Sequence, residues 1–166
     1  MIYDPTRDEL FAAERGGGAT LDGAPIHVSA QKTLGESLLA TGFPSQKRHK
    51  NPNIHFYHQI TLRSHGVRRA GSAALDLANV GSGRFDGFWE LNLNPWDVAA
   101  GALIVTEAGG RITDLRGGTF DHRKPGETLA TNGHIHEECA QQFAAIFAGR
   151  GLDPLPDPRE YKKTTG

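Results

Sequence analysis

Glu90 and Asp97 are the residues of this sequence best placed to do chemistry, because they flank a helix start. Asn94 suits an N-cap, Pro95 suits the first helical position, and Asp97 then falls in the first turn. A carboxylate there stands near the positive end of the helix dipole and can face a cleft. Taken without their surroundings, both residues have plain roles. Asp97 would stabilise a helix N-terminus, and Glu90 would be a solvated charge at a strand end, since glutamate is seldom buried unpaired. Ser72 is a second cap, ahead of a helix over 73–80 that Gly81 and Gly83 end.

Other groups invite readings that their spacing does not support. Gly16-Gly17-Gly18 leads into a strand, with no Gly-Lys-Ser/Thr after it, so it is a turn and not a phosphate loop. His134, His136 and Cys139 lack a second ligand pair at finger-like spacing, and the histidines are expected at the surface of a helix start. Lys47-Arg48-His49-Lys50 is a short basic run in a polar loop over 45–53, a solvated loop first and an RNA contact second. Trp96 is expected to pack into the core under the helix start.

Composition narrows the classes. The 166 residues suffice for one domain with a real core. Hydrophobic residues make up 37% and charged residues 22%, which is the balance of a globular chain and not of a disordered one. A net charge of -1 gives no global attraction to nucleic acid or to an anionic membrane. The single cysteine, Cys139, excludes an intrachain disulfide and fits a reducing compartment. No secretory signal and no bilayer-spanning run is visible, so a cytoplasmic location is expected.

The elements that must hold these residues follow from turn chemistry and periodicity. Short strands are expected at Ile2-Tyr3, 9–13, 19–21 and 25–28, with Asp22-Gly23 as a hairpin turn. Further strands are expected at 37–41, 67–69, 85–91, 111–114 and 128–131. Helices are expected over 54–64, with Ile54, His58 and Leu62 at one-turn spacing, and over 73–80, 95–108 and 135–147. Strands alternating with helices argue for a layered α/β domain.

Several blocks occur in order: Tyr3-Asp4-Pro5, Glu9-Leu10-Phe11, Gly18-Ala19, Asp22-Gly23 and Leu39-Ala40-Thr41-Gly42-Phe43-Pro44. They are followed by Arg69-Ala70-Gly71-Ser72-Ala73-Ala74-Leu75-Asp76-Leu77-Ala78, then by Trp96-Asp97-Val98-Ala99-Ala100-Gly101 with Glu107-Ala108-Gly109-Gly110. This series resembles the inositol monophosphatase family, most closely its bacterial SuhB-type members, from residue 1 to about Phe147. The resemblance implies an αβαβα sandwich, of which this chain is the C-terminal part. It also implies a Mg²⁺-dependent phosphomonoesterase in which metal-activated water attacks the ester in line. Asp97 matches the metal-binding aspartate, which also approaches the hydroxyl next to the scissile ester. Glu90 matches the glutamate that binds inositol or sugar hydroxyls. Gly71, Ser72 and Ala73 match the stretch whose backbone meets the substrate ring. A phosphorylated polyol or sugar substrate and a homodimer are implied as well. For SuhB-type members the alternative is a non-catalytic role contacting RNA or RNA polymerase.

The family's upstream glutamate pair and its Asp-Pro-Ile/Leu-Asp-Gly-Thr loop, which supply most metal ligands, are not among these residues. Asp4-Pro5-Thr6 belongs to the later Tyr-Asp-Pro turn. The expectation is a truncated chain of impaired activity, because one aspartate holds Mg²⁺ poorly. Its expected divisions are a β-meander over 1–31, an α/β unit over 32–148 and a flexible tail over 149–166.

Overall fold

The computed structural model describes residues 1–43 and 51–160. The basic run at 47–50 lies outside the described residues. The first four strands, β1 (Ile2–Asp4), β2 (Glu9–Glu14), β3 (Gly18–Leu21) and β4 (Ala24–Pro25), form an antiparallel meander in that order. Asp22 at φ 50° and Gly23 at φ 78° supply the two positive φ values that a tight hairpin turn demands. The strand expected over 25–28 stops at Pro25. The Ile26 N–H still donates to the Ala19 carbonyl of β3 at 3.0 Å, and the chain then leaves the sheet, the Val28 N–H donating to the Ala108 carbonyl at 3.1 Å. The glycine triplet is a turn. Its Gly16 and Gly18 N–H groups donate to the Glu107 carboxylate at 3.0 and 3.1 Å, so the anion it holds belongs to the chain itself.

The second sheet contains β5 (Leu38–Thr41), β6 (Gly66–Arg68), β7 (Gly87–Leu91), β8 (Arg111–Thr113) and β9 (Glu127–Thr131), in the order β6-β5-β7-β9-β8. β5 runs parallel to β6 and β7, whereas β9 is antiparallel to β7 and β8. The helices are α1 (Asn53–Thr61), α2 (Ala73–Gly81), α3 (Pro95–Glu107) and α4 (His136–Phe147).

Helices α2 and α3 lie between the two sheets. Ala78, Ile104 and Ala108 pack on Phe11 and Ala19 of the meander, while Leu77, Val80, Val98 and Val105 pack on Ala40, Phe88 and Ala130 of the second sheet. The meander, marginal alone, is stable here because it shares this core. The other face of the second sheet is covered by α1 and α4 through Phe56, Ile60 and Phe143 against Leu39, Trp89 and Leu129. Meander, helix pair, sheet and helix pair are stacked as the expected layered α/β architecture. Gly101 permits the close approach of α2 and α3, since a Cβ there would stand 2.5 Å from Leu77 Cβ.

Three local expectations are corrected. α1 does not bury Ile54 and Leu62, which are 61% and 56% exposed; it buries Asn53, Phe56, Gln59 and Ile60. Trp96 is 78% exposed, because it stands at the cleft rim, while Val98 is the residue that the start of α3 buries. His136 is fully buried, its two ring nitrogens taken by threonine hydroxyls of β8 and β9. After α4, the chain is tied to α1. Gln59 Nε2 donates to the Asp153 carbonyl at 2.7 Å, its Oε1 accepts from the Asp153 N–H at 3.0 Å, and Arg63 pairs with the Asp153 carboxylate at 2.7 Å.

Candidate functional site

The carboxyl ends of the three parallel strands converge. β5 runs out into Thr41 and Gly42, β6 into Arg69, and β7 into Glu90 and Leu91. Helices α2 and α3 begin directly after β6 and β7. Ligands of open α/β sheets sit at such strand ends, and the helix N-termini there favour negative charge. A cleft of about 520 Å³ opens at this point. Gly71, Ser72, Ala73, Glu90 and Asp97, the five candidate residues, all line it, together with Gly42 and Arg69.

Each is held by identifiable local structure. Gly71 turns the chain at φ 100°, a left-handed conformation with open space at its Cβ position. Ser72 is extended and its Oγ accepts from the Leu75 N–H at 3.4 Å, so it does cap α2. Asn94 takes the N-cap position of α3. Asp97 Oδ2 reaches back to accept the Asn94 N–H at 2.8 Å and its side-chain amide at 3.3 Å. The plain capping role of Asp97 is therefore real, and it uses one of the two carboxylate oxygens.

Glu90 projects from the end of β7 against Gly42, where a Cβ would stand 2.1 Å from Glu90 Oε2. Burial, and then the charge of Asp97, push its carboxyl up to about 7, against the pull of the Arg69 guanidinium. Asp76, in the first turn of α2, was missed by sequence reasoning. It is 1% exposed, and neither carboxylate oxygen has a hydrogen-bond partner among the described residues. Burial and then the charge of Glu90 push it up to about 7 as well. Its sequence signal was an acid inside an otherwise apolar helix face, Leu75-Asp76-Leu77-Ala78. Arg69, which also stacks over the Phe43 ring at 5.9 Å, puts a cation on the cleft wall.

The residues present do not by themselves satisfy a divalent metal. Among the described residues no three His, Cys, Asp or Glu side chains converge as a metal-binding group. Mg²⁺ requires near-octahedral oxygen coordination, and Asp97 offers one oxygen beyond its cap. No helix among the described residues is long and apolar enough to cross a membrane.

Comparison with known proteins agrees with this arrangement. The model of the inositol monophosphatase family matches residues 1–147. An inositol-1-monophosphatase from Synechocystis sp. is 46% identical over 146 residues, covering 87% of this chain and 50% of that protein. The Nus factor SuhB of Escherichia coli is 44% identical over 136 residues, covering 81% of this chain and 51% of its own length. The solved inositol monophosphatase from Anabaena (Nostoc) sp. superposes with a TM-score of 0.81 at 44% identity, over 93% of this chain and 59% of the other. The chain thus spans about half the length of the curated relatives it matches. On sequence and on fold alike, it belongs to the inositol monophosphatase family.

Proposed function

We propose that this chain supplies the substrate-binding side of a Mg²⁺-dependent phosphomonoesterase acting on an inositol monophosphate or a related sugar phosphate. The observation that carries the reading is the convergence of Gly71, Ser72, Ala73, Glu90 and Asp97 on one cleft at the ends of three parallel strands. In this reading Asp97 gives one oxygen to the metal, whose other ligands come from outside the described residues. Glu90, with its carboxyl near 7, can accept from or donate to a substrate hydroxyl near neutral pH. The backbone of Gly71 to Ala73 faces the ring. A cytoplasmic setting is part of the proposal; Cys139, the single cysteine, is buried. A homodimer is part of the proposal as well.

The test is phosphate release from inositol monophosphate and other sugar phosphates with Mg²⁺. It is run on this chain and on a protein of full family length carrying it. The longer protein is expected to release phosphate and to lose that activity with Asp97→Asn, while the 166-residue chain alone has little or none. Family-like rates from the chain alone, or no release by the longer protein on any of these substrates, would overturn the reading.

A second reading is favoured by relatives named Nus factor SuhB at 43–44% identity. In it the chain keeps a surface for RNA or RNA polymerase without catalysis. Binding that weakens steeply with salt would support it, and no binding at low salt would remove it.

A further inference from the structure

Asn53, the first residue of α1, is fully buried, and every polar atom of its side chain is engaged. Its Nδ2 donates to the Gly42 carbonyl at 2.6 Å and to Thr41 Oγ1 at 3.0 Å. Its Oδ1 accepts from Trp89 Nε1 at 2.7 Å. Thr41 Oγ1 donates in turn to the Trp89 carbonyl at 2.7 Å. The amide thus joins the end of β5, the middle of β7 and the start of α1 in one closed, buried network, where hydrogen bonds are strong and stiff.

On the cleft side of that network stands Glu90. Trp89, pinned at both its indole and its carbonyl, is the residue from which Glu90 continues. Gly42, pinned at its carbonyl, is the surface on which the Glu90 carboxylate rests, since a Cβ there would lie 2.1 to 2.3 Å from its carboxyl atoms. Asn53 therefore fixes both the strand that projects the carboxylate and the floor beneath it. Glutamine alone carries the same set, on a stem one methylene longer. Aspartate lacks the two donors, and leucine leaves the Gly42 carbonyl and the Trp89 indole N–H stranded in the core.

We infer that Asn53 is a positioning residue for the Glu90 carboxylate and so sets where in the cleft a substrate hydroxyl is received. The functional half of this inference rests on the proposed role of Glu90. The positioning half rests on the network alone.

The test has two arms. In the family-length protein, Gly42→Ala, Asn53→Asp, Glu90→Gln and the double variant of the last two are assayed on two substrates. Inositol monophosphate carries hydroxyls beside the ester; p-nitrophenyl phosphate carries none. Asn53→Asp and Gly42→Ala are expected to raise KM for inositol monophosphate about tenfold or more. The kcat/KM of Asn53→Asp for the aryl ester should stay within about twofold, and the double variant should be no worse than its worse parent. Equal losses on both substrates, or fully additive effects of Asn53 and Glu90, would overturn the inference. In the second arm, the Glu90 carboxyl-carbon NMR signal of the 166-residue chain, identified by its loss in Glu90→Gln, is followed at fixed pH. It should move in both Asn53→Asp and Gly42→Ala, while the Trp89 indole hydrogen stays protected in Gly42→Ala. A stationary Glu90 signal would overturn the positioning itself. An unchanged substrate preference in Glu90→Gln would instead overturn the hydroxyl role and leave the positioning to be decided by the NMR arm.

Discussion

The surroundings of His136 and those of Asp76 and Glu90 both shift an ionisable group by burial, and they are built in opposite ways. At the β8–β9 edge, His136 sits between two hydroxyls, Thr113 Oγ1 at 2.9 Å from Nε2 and Thr131 Oγ1 at 2.9 Å from Nδ1. Burial, and then the charge of Arg111, push it down to about 4, so it is neutral and fully partnered near neutral pH. Asp76, buried in the first turn of α2, and Glu90, on the cleft wall, are both pushed up to about 7; Asp76 has no partner among the described residues, and Glu90 faces the opening. A perturbed ionisation by itself does not mark a site. The closed, satisfied cluster is architecture, and the open Glu90 carboxyl, with the unpartnered Asp76 in its field, is where something from outside has a contribution left to make.

The largest expected effect is on the satisfied side. His136→Leu takes the acceptor from the buried Thr131 hydroxyl, while Thr113 keeps the Asp114 carbonyl, and should cost roughly 2 kcal/mol in urea unfolding, without touching the cleft. A loss under about 1 kcal/mol would break the comparison.

The next effect is opposite in sign for the two regions. The folded value of His136 lies below its ordinary 6.5, so between about 6.5 and 4 the unfolded chain takes up a proton that the folded chain refuses. Stability from this group is lost as pH falls. Asp76 and Glu90 have folded values above their ordinary 3.8 and 4.5, so their contribution is present near pH 4 and is lost as pH rises toward 7. Asp76→Asn should therefore be on the order of 1 kcal/mol more stable than the parent at pH 8 and little different at pH 4, read by thermal melts. A variant that is less stable at pH 8 would mean that the Asp76 charge is compensated after all.

The smallest effect sharpens the boundary. Trp96 lines the cleft but is 78% exposed, so Trp96→Ala should change stability by no more than about 0.5 kcal/mol in the same unfolding assay.

The element order was legible because its punctuation is local. Asp22-Gly23, Ser72 and Asn94-Pro95 act through φ values and unpaired N–H groups within a few residues. The five candidate residues were legible through the resemblance, and their meeting in one cleft was not. That convergence depends on which strands are neighbours, and β6 and β7 flank β5 out of chain order. α1 was misread because its buried face is half amide. Asn53 and Gln59 imitate backbone groups and satisfy strand ends and the Asp153 peptide, which no hydropathy pattern registers. His136 was misread for the same reason, its polarity being cancelled by residues 23 and 5 positions away in sequence.

The central claim is that this chain holds the substrate side of the site and a single oxygen for the metal. Calorimetric titration of Mg²⁺ into the 166-residue chain and into its Asp97→Asn variant tests it most directly. The account predicts weak binding, with a Kd on the order of millimolar or worse, lost in the variant. A site that fills at micromolar Mg²⁺ would contradict it.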